Sequence, residues 1–427
     1  MSDITPEILP RLRAYHLPGL NIAGNFILPD YLGSSILNLP SSICRALGAE
    51  SLGAEPLLPE LLVPDSNTVR RVILVLVDAL ALHRLQRWMS DGTAPVWSRL
   101  AEQGRLAALT SITPSTTSAA LTTLWTGKSP AEHGIVGYEL WLKEYGVVSN
   151  MILHTPITFE NDPGSLSKAG FNPEQFLNLP TLGTHLSFYG VRSYALQHRN
   201  IIRSGLSQMF FNDVSVHGFL TPAELWVNLR HLMESNPNLR QYFWVYTGQI
   251  DHFSHVYHPD DERTAAEFAE FSRAFEQHFL DQLSPYNRKG TLLLLTADHG
   301  MIATRKSSRY DLRNHPELTD CLHILPTGEH RFMYLFIKPG QADAVRAYFE
   351  RTWPDQFTFL DPHEAVSQGL FGPGTPHPRL ADRLGDLIAV ARDEAYLWWA
   401  EKENPLIGQH GGLAPEEMLV PLLSVEL

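Results

Sequence analysis

The chain has 427 residues, of which 44% are hydrophobic and 19% charged, the proportions of a globular protein able to bury a large core. A formal net charge of −13 argues against a broad nucleic-acid-binding face and leaves room only for a local basic pocket. The only cysteines, Cys44 and Cys321, form neither a CxxC pair nor a metal-ligand spacing, which argues against disulfide stapling and a zinc knuckle.

Met1 to Glu7 has neither the basic start nor the apolar core of a signal peptide, and no later stretch is long enough to span a bilayer, so the chain reads as a soluble, cytoplasmic protein. Residues 1–68 are rich in Pro, Leu and Gly without long periodicity and read as an extended leader packing on the core, ended by Pro64-Asp65-Ser66-Asn67. The domain at 69–427 opens with an apolar run, Val72 to Val77, closed by Asp78. A helix is expected near Pro95 to Glu102, a strand around Ala107 to Ser111, a turn at Thr113-Pro114-Ser115, and a helix from Thr117 to Thr126. Trp141 to Leu179 carries Pro, Gly and Asn with little period, and Met301 to Arg331 is a long polar excursion. Both are candidate cap segments, near 141–179 and 301–331. Further strands are expected at Val191 to Gln197, Tyr242 to Thr247, Thr291 to Ala297, Phe332 to Ile337 and Asp386 to Ala391, with helices such as Thr221 to Glu234 and Arg263 to Leu283 between them. This alternation predicts an α/β fold with a mostly parallel central sheet and helices on both faces.

Asp78 and the pair Asp298-His299 each close an apolar run of the kind that forms a buried parallel strand. Ligands of open parallel sheets bind at the carboxyl ends of the strands, so these acidic groups are expected to face one crevice. Asp251 and His255 lie four apart after the Tyr242 to Thr247 run, where one helical turn or a loop can present both to one ion. With His410 they make a set of oxygen and nitrogen donors whose spacing reads as a two-metal hydrolase. Taken singly, each is more simply a turn, cap or loop residue. The segment Thr113 to Ser118 adds several hydroxyls just before a helix, where free N–H groups and the helix dipole favour a phosphate, and by position alone any of three could attack. Thr126-Gly127-Lys128-Ser129 mimics the end of a P-loop, but that motif needs Gly where Thr122 stands. His133 reads as a packing residue, His252, His258, His315 and His330 as solvated groups near the site segments, and Trp398-Trp399 as core or interface.

The order of these motifs, with Thr126-Gly127 and His133-Gly134, then Asp251-x-x-x-His255, Asp298-His299-Gly300 and Gln409-His410-Gly411, resembles the alkaline phosphatase superfamily. Within it the resemblance is to the type I phosphodiesterase/nucleotide pyrophosphatase branch, from about Val72 to the C-terminus. It implies an alkaline-phosphatase-like fold and a nucleophile ten residues before the Gly of the TG pair, which is Thr117. It also implies two divalent ions, one held by Asp251, His255 and His410 and the other by Asp78, Asp298, His299 and the Thr117 oxygen. Zn2+ suits this donor set, and Mn2+ or iron is compatible with it. The implied activity is hydrolysis of a small phosphodiester, pyrophosphate or phosphonate through a phospho-threonine intermediate, with neither polymeric nucleic acid nor membrane as partner. The chain departs from the branch beside the nucleophile: Ser118 stands where an aromatic residue would stack on a base, and Ala120 where an Asn would bond a phosphate oxygen. A phosphomonoesterase or cofactor-independent phosphomutase on the same fold is the alternative. A non-catalytic metal-dependent binding protein is the alternative of another class.

Overall fold

In the computed structural model, which describes residues 2–20, 22–63, 69–159 and 162–427, two fully buried apolar runs lie side by side at the centre of an eight-stranded sheet. Its strands in chain order are β1 (Ser2–Asp3), β2 (Arg71–Val77), β3 (Arg105–Thr110), β4 (Arg192–His198), β5 (Val214–Phe219), β6 (Gln241–Thr247), β7 (Thr291–Thr296) and β8 (Leu419–Glu426). They are arranged β1-β3-β8-β7-β2-β6-β4-β5. All neighbours are parallel except those of β8, which runs antiparallel to both β3 and β7. Burial at every position of β2, β6 and β7 explains why their sequences lack alternation.

Helices around the sheet complete the core. Trp97, on the helix Pro95–Gln103, stacks on Phe275 of the helix Glu262–Phe275 with ring centroids 4.7 Å apart, and its indole N–H donates to Ser272 Oγ at 2.8 Å. Trp226, from the helix Pro222–Ser235, meets Phe275 edge-on. The stretch expected as one helix from Arg263 to Leu283 is α-helical only to Phe275 and then widens into a single π turn, Glu276–Leu280.

Several expectations are corrected. Phe332–Leu335 and Leu387–Ala391, placed with the parallel strands, instead pair antiparallel in a second, seven-stranded sheet that also takes Phe357–Leu360, Thr327–Glu329, Glu139–Leu142, Val147–Asn150 and Thr155–Pro156. Antiparallel strands commonly alternate because one face is wet, but these have no wet face. Phe332 and Tyr334 point into the main core while Met333 and Leu335 enter a second core with Leu387 and Trp399. Residues before 64 are not extended throughout: they form the helices Thr5–Ala14 and Leu39–Ala46, and β1 joins the central sheet. The turn at Pro64-Asp65-Ser66-Asn67 and the boundary at 68 lie outside the described residues. β8, which the sequence reading omits, separates β3 from β7. Among the described residues no helix is long and apolar enough to cross a membrane.

Leu74, 1% exposed, sits between Leu294 and Trp244 in the middle of the sheet. Leu74→Ala is expected to cost about 2–5 kcal/mol, read as a lowered denaturant midpoint with an unchanged slope.

Candidate active site

The central strands deliver their polar groups to one end of the sheet. Asp78 follows β2, and its N–H donates to Thr247 O at 3.0 Å, locking the ends of β2 and β6 together. Ala79 then adopts a left-handed φ of 61°, turning the chain sharply so that its own N–H reaches Asp298 Oδ1 at 3.2 Å. Asp298 and His299 follow β7. Gly300 leaves them room, because a Cβ there would lie 2.0 Å from Glu416 O. After β6, the helix Gln249–Tyr257 places Asp251 and His255 one turn apart. His410 comes from a loop whose neighbours Gly408–Gln409 pair with Ile302–Ala303, and Gly411 beside it has a φ of 106° that favours glycine.

The three imidazoles are oriented alike. Each Nδ1 faces a backbone carbonyl and therefore donates: His255 to Gly408 O at 2.8 Å, His299 to Gly300 O at 2.8 Å, and His410 to Ser115 O at 3.1 Å. In the neutral rings each Nε2 then carries the lone pair, turned into the crevice where the carboxylate oxygens converge. His299 Nε2 lies 3.4 Å from Asp78 Oδ1 and 3.6 Å from Asp298 Oδ2, His255 Nε2 lies 3.3 Å from Asp251 Oδ1, and His410 Nε2 lies 3.8 Å from the same oxygen. Asp78 Oδ1, Asp251 Oδ1 and Asp298 Oδ2 are buried oxygens without a hydrogen-bond partner. Such acceptors are costly unless something else satisfies them. Converging carboxylate oxygens and imidazole lone pairs are the donors a divalent cation accepts, so the residues present fit such ions.

By proximity the donors fall into two groups, Asp78 with Asp298 and His299, and Asp251 with His299 and His410. His299 belongs to both and stacks on His410 with centroids 3.9 Å apart. The first group is fully buried, whereas Asp251 and His410 are partly exposed, so the second faces the opening. All six sequence-selected donors are thus brought together, His255 through its contact with Asp251.

Electrostatics bear the mark of crowding. Burial, reinforced by the charges of Asp298 and Asp251, raises the Asp78 acid well above the ordinary carboxylate value, and burial likewise raises Asp298. Burial also opposes the charge of Asp251, but His255, His410 and His299, when they carry a proton, outweigh it and hold that carboxyl low. His410 is pushed well below the usual imidazole range by burial and by His299.

Of the hydroxyls before the helix α1 (Thr117–Thr126), only Thr117 meets this cluster. Its Oγ1 is 3.1 Å from His299 Nε2, which has its lone pair free and so accepts the hydroxyl proton. Ser115 and Ser118 instead donate to Gly412 O and Gly137 O, at 2.7 and 2.8 Å. The P-loop mimic is a helix stop: Gly127 is the left-handed C-cap of α1, and Ser129 caps the next helix. His133 is packed inside, with Thr123 Oγ1 3.1 Å from its Nε2. His330 is not a solvated group: it stacks on Trp398 and meets Trp399 at a tilt, with centroids 4.5 and 4.6 Å away, and burial lowers its pKa to about 3. His315 is also buried, with Nδ1 2.7 Å from Tyr348 Oη.

Sequence reasoning missed the supports. Tyr246, inside β6, donates its hydroxyl to Asp78 Oδ2. Glu329 accepts from Tyr138 N at 2.8 Å, and burial pushes its acid up to about 8. Arg331 and Glu417 form a fully buried ion pair at 2.7 Å, and Glu417 also accepts from Gly412 N and Ala414 N at 2.9 and 3.1 Å, pinning the loop that carries His410. No local pattern flags these residues. Contact across distant segments is the only signal they have.

The scaffold and the cluster at its strand ends define a mixed α/β protein of the alkaline-phosphatase type. The sequence matches the family described as type I phosphodiesterase / nucleotide pyrophosphatase over residues 72–413, and the chain belongs to that family. Among solved structures it is similar to phosphonoacetate hydrolase from Sinorhizobium meliloti 1021, with 20% identity and a TM-score of 0.60, covering 85% of this chain and 92% of that one. It is similar as well to murine ectonucleotide pyrophosphatase/phosphodiesterase 5, at 16% identity, TM-score 0.59, and 83% and 87% coverage. No curated protein matches the sequence.

Glu417→Ala strands the Arg331 guanidinium in the interior and frees the His410 loop. A loss of about 3–5 kcal/mol in urea unfolding is expected, larger than for Arg331→Met with Glu417→Leu together.

Proposed function

We propose that the protein hydrolyses a small phosphodiester or phosphonate ester through attack by Thr117, at a centre of two divalent metal ions. The observation that carries this reading is the Thr117 hydroxyl, 3.1 Å from His299 Nε2, at the start of a helix and beside buried, unsatisfied carboxylate oxygens. One ion would be held by Asp78, Asp298, His299 and the Thr117 oxygen, the other by Asp251, His255 and His410, with Zn2+ the best match to mixed imidazole and carboxylate donors. When bound, the ions supply Lewis acidity and neutralise charge on the transferred group. Thr117 gives up its proton to solvent, its Oγ1 bonds to phosphorus, and the ester bond breaks as the leaving oxygen takes up a proton from solvent. Water then cleaves the phospho-threonine ester, its hydroxyl going to phosphorus and its proton to Thr117 Oγ1. Backbone N–H groups in the first turn of α1 face the developing charge. A Thr-to-Ala variant of the murine relative is described as inactive and in complex with AMP, which supports a threonine in this role.

The crevice at Thr117 favours a diester over a monoester. Among the described residues lining it there is no Lys or Arg, the groups that a phosphate dianion or a mutase would use to hold the additional oxygens.

Metal-loaded protein is expected to cleave bis(p-nitrophenyl) phosphate faster than p-nitrophenyl phosphate. Thr117→Ala should lower diester turnover by about a thousandfold or more, whereas Ser118→Ala retains it. Monoester preference, or turnover surviving in Thr117→Ala, would count against the assignment.

Thermal melts test the ions separately. The raised Asp78 pKa favours the metal-free fold fully below the ordinary value of 3.8, and that contribution is lost as pH rises through the raised folded value. Metal binding requires the same proton to leave. The rise in melting temperature on adding Zn2+ should therefore be larger at about pH 8 than at about pH 5. Asp298→Asn should diminish it at both.

A further inference from the structure

A cavity of about 430 Å³ opens directly from Asp78, Thr117 and Asp251, and its chemistry differs from what a polyanionic substrate needs. Three sequence-distant elements build it. On α1, Thr117, Leu121 and Trp125 recur every fourth residue, so the helix that starts at the attacking hydroxyl presents an apolar stripe running away from it. On β6, Trp244 and Tyr246 alternate to the same face. Opposite them, the helix α2 (Gly205–Phe210) and its following residue bring Phe210 and Phe211 against Trp125, with ring centroids 6.4 and 5.0 Å from it.

Three polar side chains of the wall are committed to one another, while His198, Asn200, Thr247, Gln249 and His252 add further polar groups to the lining. Gln197 Nε2 donates to Ile201 O at 3.0 Å and Ser207 Oγ at 2.7 Å, Ser207 Oγ donates to Ile201 O at 2.7 Å, and Ser204 Oγ donates to Ser207 Oγ at 3.0 Å. The described lining contains no Lys or Arg. Arg199, in the same segment, turns outward to Glu224 at 2.7 Å, and Arg203 is exposed. An anionic group placed here would lose hydration without meeting a Lys or Arg, with the His198 and His252 imidazoles as the titratable donors in the wall, and would face Asp78 and Asp251 as well.

We infer that this slot selects esters whose retained organic substituent is uncharged and apolar, an aryl or branched alkyl group, and rejects those carrying a carboxylate or a further phosphate. The inference rests on the proposed phosphoryl-transfer role of Thr117 and adds the substrate class to it. In an in-line displacement the leaving group departs on the side opposite the attacking oxygen. The slot begins at Thr117 and follows its own helix, so it receives the substituent that stays on phosphorus. Leu121 then determines specificity by its contact with that substituent.

Three esters with a common leaving group test this: the p-nitrophenyl esters of phenylphosphonic, methylphosphonic and carboxymethylphosphonic acid, each given to the metal-loaded full chain. Burial of a phenyl ring should raise kcat/KM for the first over the second by about tenfold or more, with the carboxymethyl ester slowest. Leu121→Ala should narrow the phenyl-to-methyl ratio. Equal rates for all three, or preference for the carboxymethyl ester, would overturn the inference. Binding is read independently from the fluorescence of Trp125 and Trp244 on titration with phenylphosphonate, methylphosphonate and phosphonoacetate. If no ester is turned over but phenylphosphonate still binds more tightly than phosphonoacetate, the slot assignment stands and the hydrolase reading falls. Absence of both turnover and that order of binding sinks both.

Discussion

Like charges held close together in a buried place are the constraint around which this molecule is organised. Asp78 and Asp298 are fully buried, and Asp251 adds a third carboxylate to the same crevice. Such groups repel, lose hydration and resist ionisation. The fold holds them chiefly by rigid backbone, with the Tyr246 hydroxyl bonded to Asp78 as a side-chain support. Each of the two buried carboxylates sits directly beyond a central parallel strand whose hydrogen bonds and apolar burial fix its position. Their neighbours are imidazole nitrogens, which in the neutral rings offer directional lone pairs to a cation without adding another negative charge. Orienting all three Nδ1 atoms onto carbonyls commits the opposite nitrogens to the crevice before any ligand arrives.

The same constraint explains why one buried ion pair lies outside the crevice. His410 comes from a loop far along the chain, and a loop cannot fix a side chain as a strand end does. Glu417 takes two backbone N–H groups of that loop while pairing with Arg331, whose neighbours belong to the second sheet. A buried pair of this kind adds little net stability by itself. Its contribution is positional, tying the second sheet, the His410 loop and the start of β8 into one rigid junction.

Much of the centre was readable in the sequence, and the physical reason is locality. An apolar run that ends in Asp, or in Asp-His-Gly, encodes a buried strand and its polar terminus within ten residues, as Val72 to Asp78 and Leu292 to Gly300 do. Asp251 and His255 are separated by one helical turn. What escaped reading depends on partners distant in sequence. The alternation in Phe332–Leu335 is invisible because two cores bury both faces, and the short helix Leu39–Ala46 is hard to read because its polar Ser41 and Ser42 are buried along with its apolar residues. Tyr246 looks like any strand aromatic until Asp78 is placed beside it. Thr117 was one of several adjacent hydroxyls, and the residues alone did not separate them. Helix phase does: Ser115 and Ser118 turn to backbone carbonyls, while Thr117 shares a face with Leu121 and Trp125.

That phase links chemistry to selectivity. Because Thr117, the nucleophile proposed above, is the first residue of α1, a substrate attacked there would lie against the face that continues through Leu121 and Trp125. Replacement of an aromatic residue by Ser118 removes nothing from this wall, since Ser118 faces Gly137 on another side of the helix. Aromatic surface is supplied instead by Phe210 and Phe211, which arrive from the segment after β4. A negative crevice thus opens into a largely apolar slot whose described lining contains no Lys or Arg. In the proposed reaction the phosphoryl group would bring the negative charge that bound cations neutralise, and the rest of the substrate would contribute contact area rather than charge.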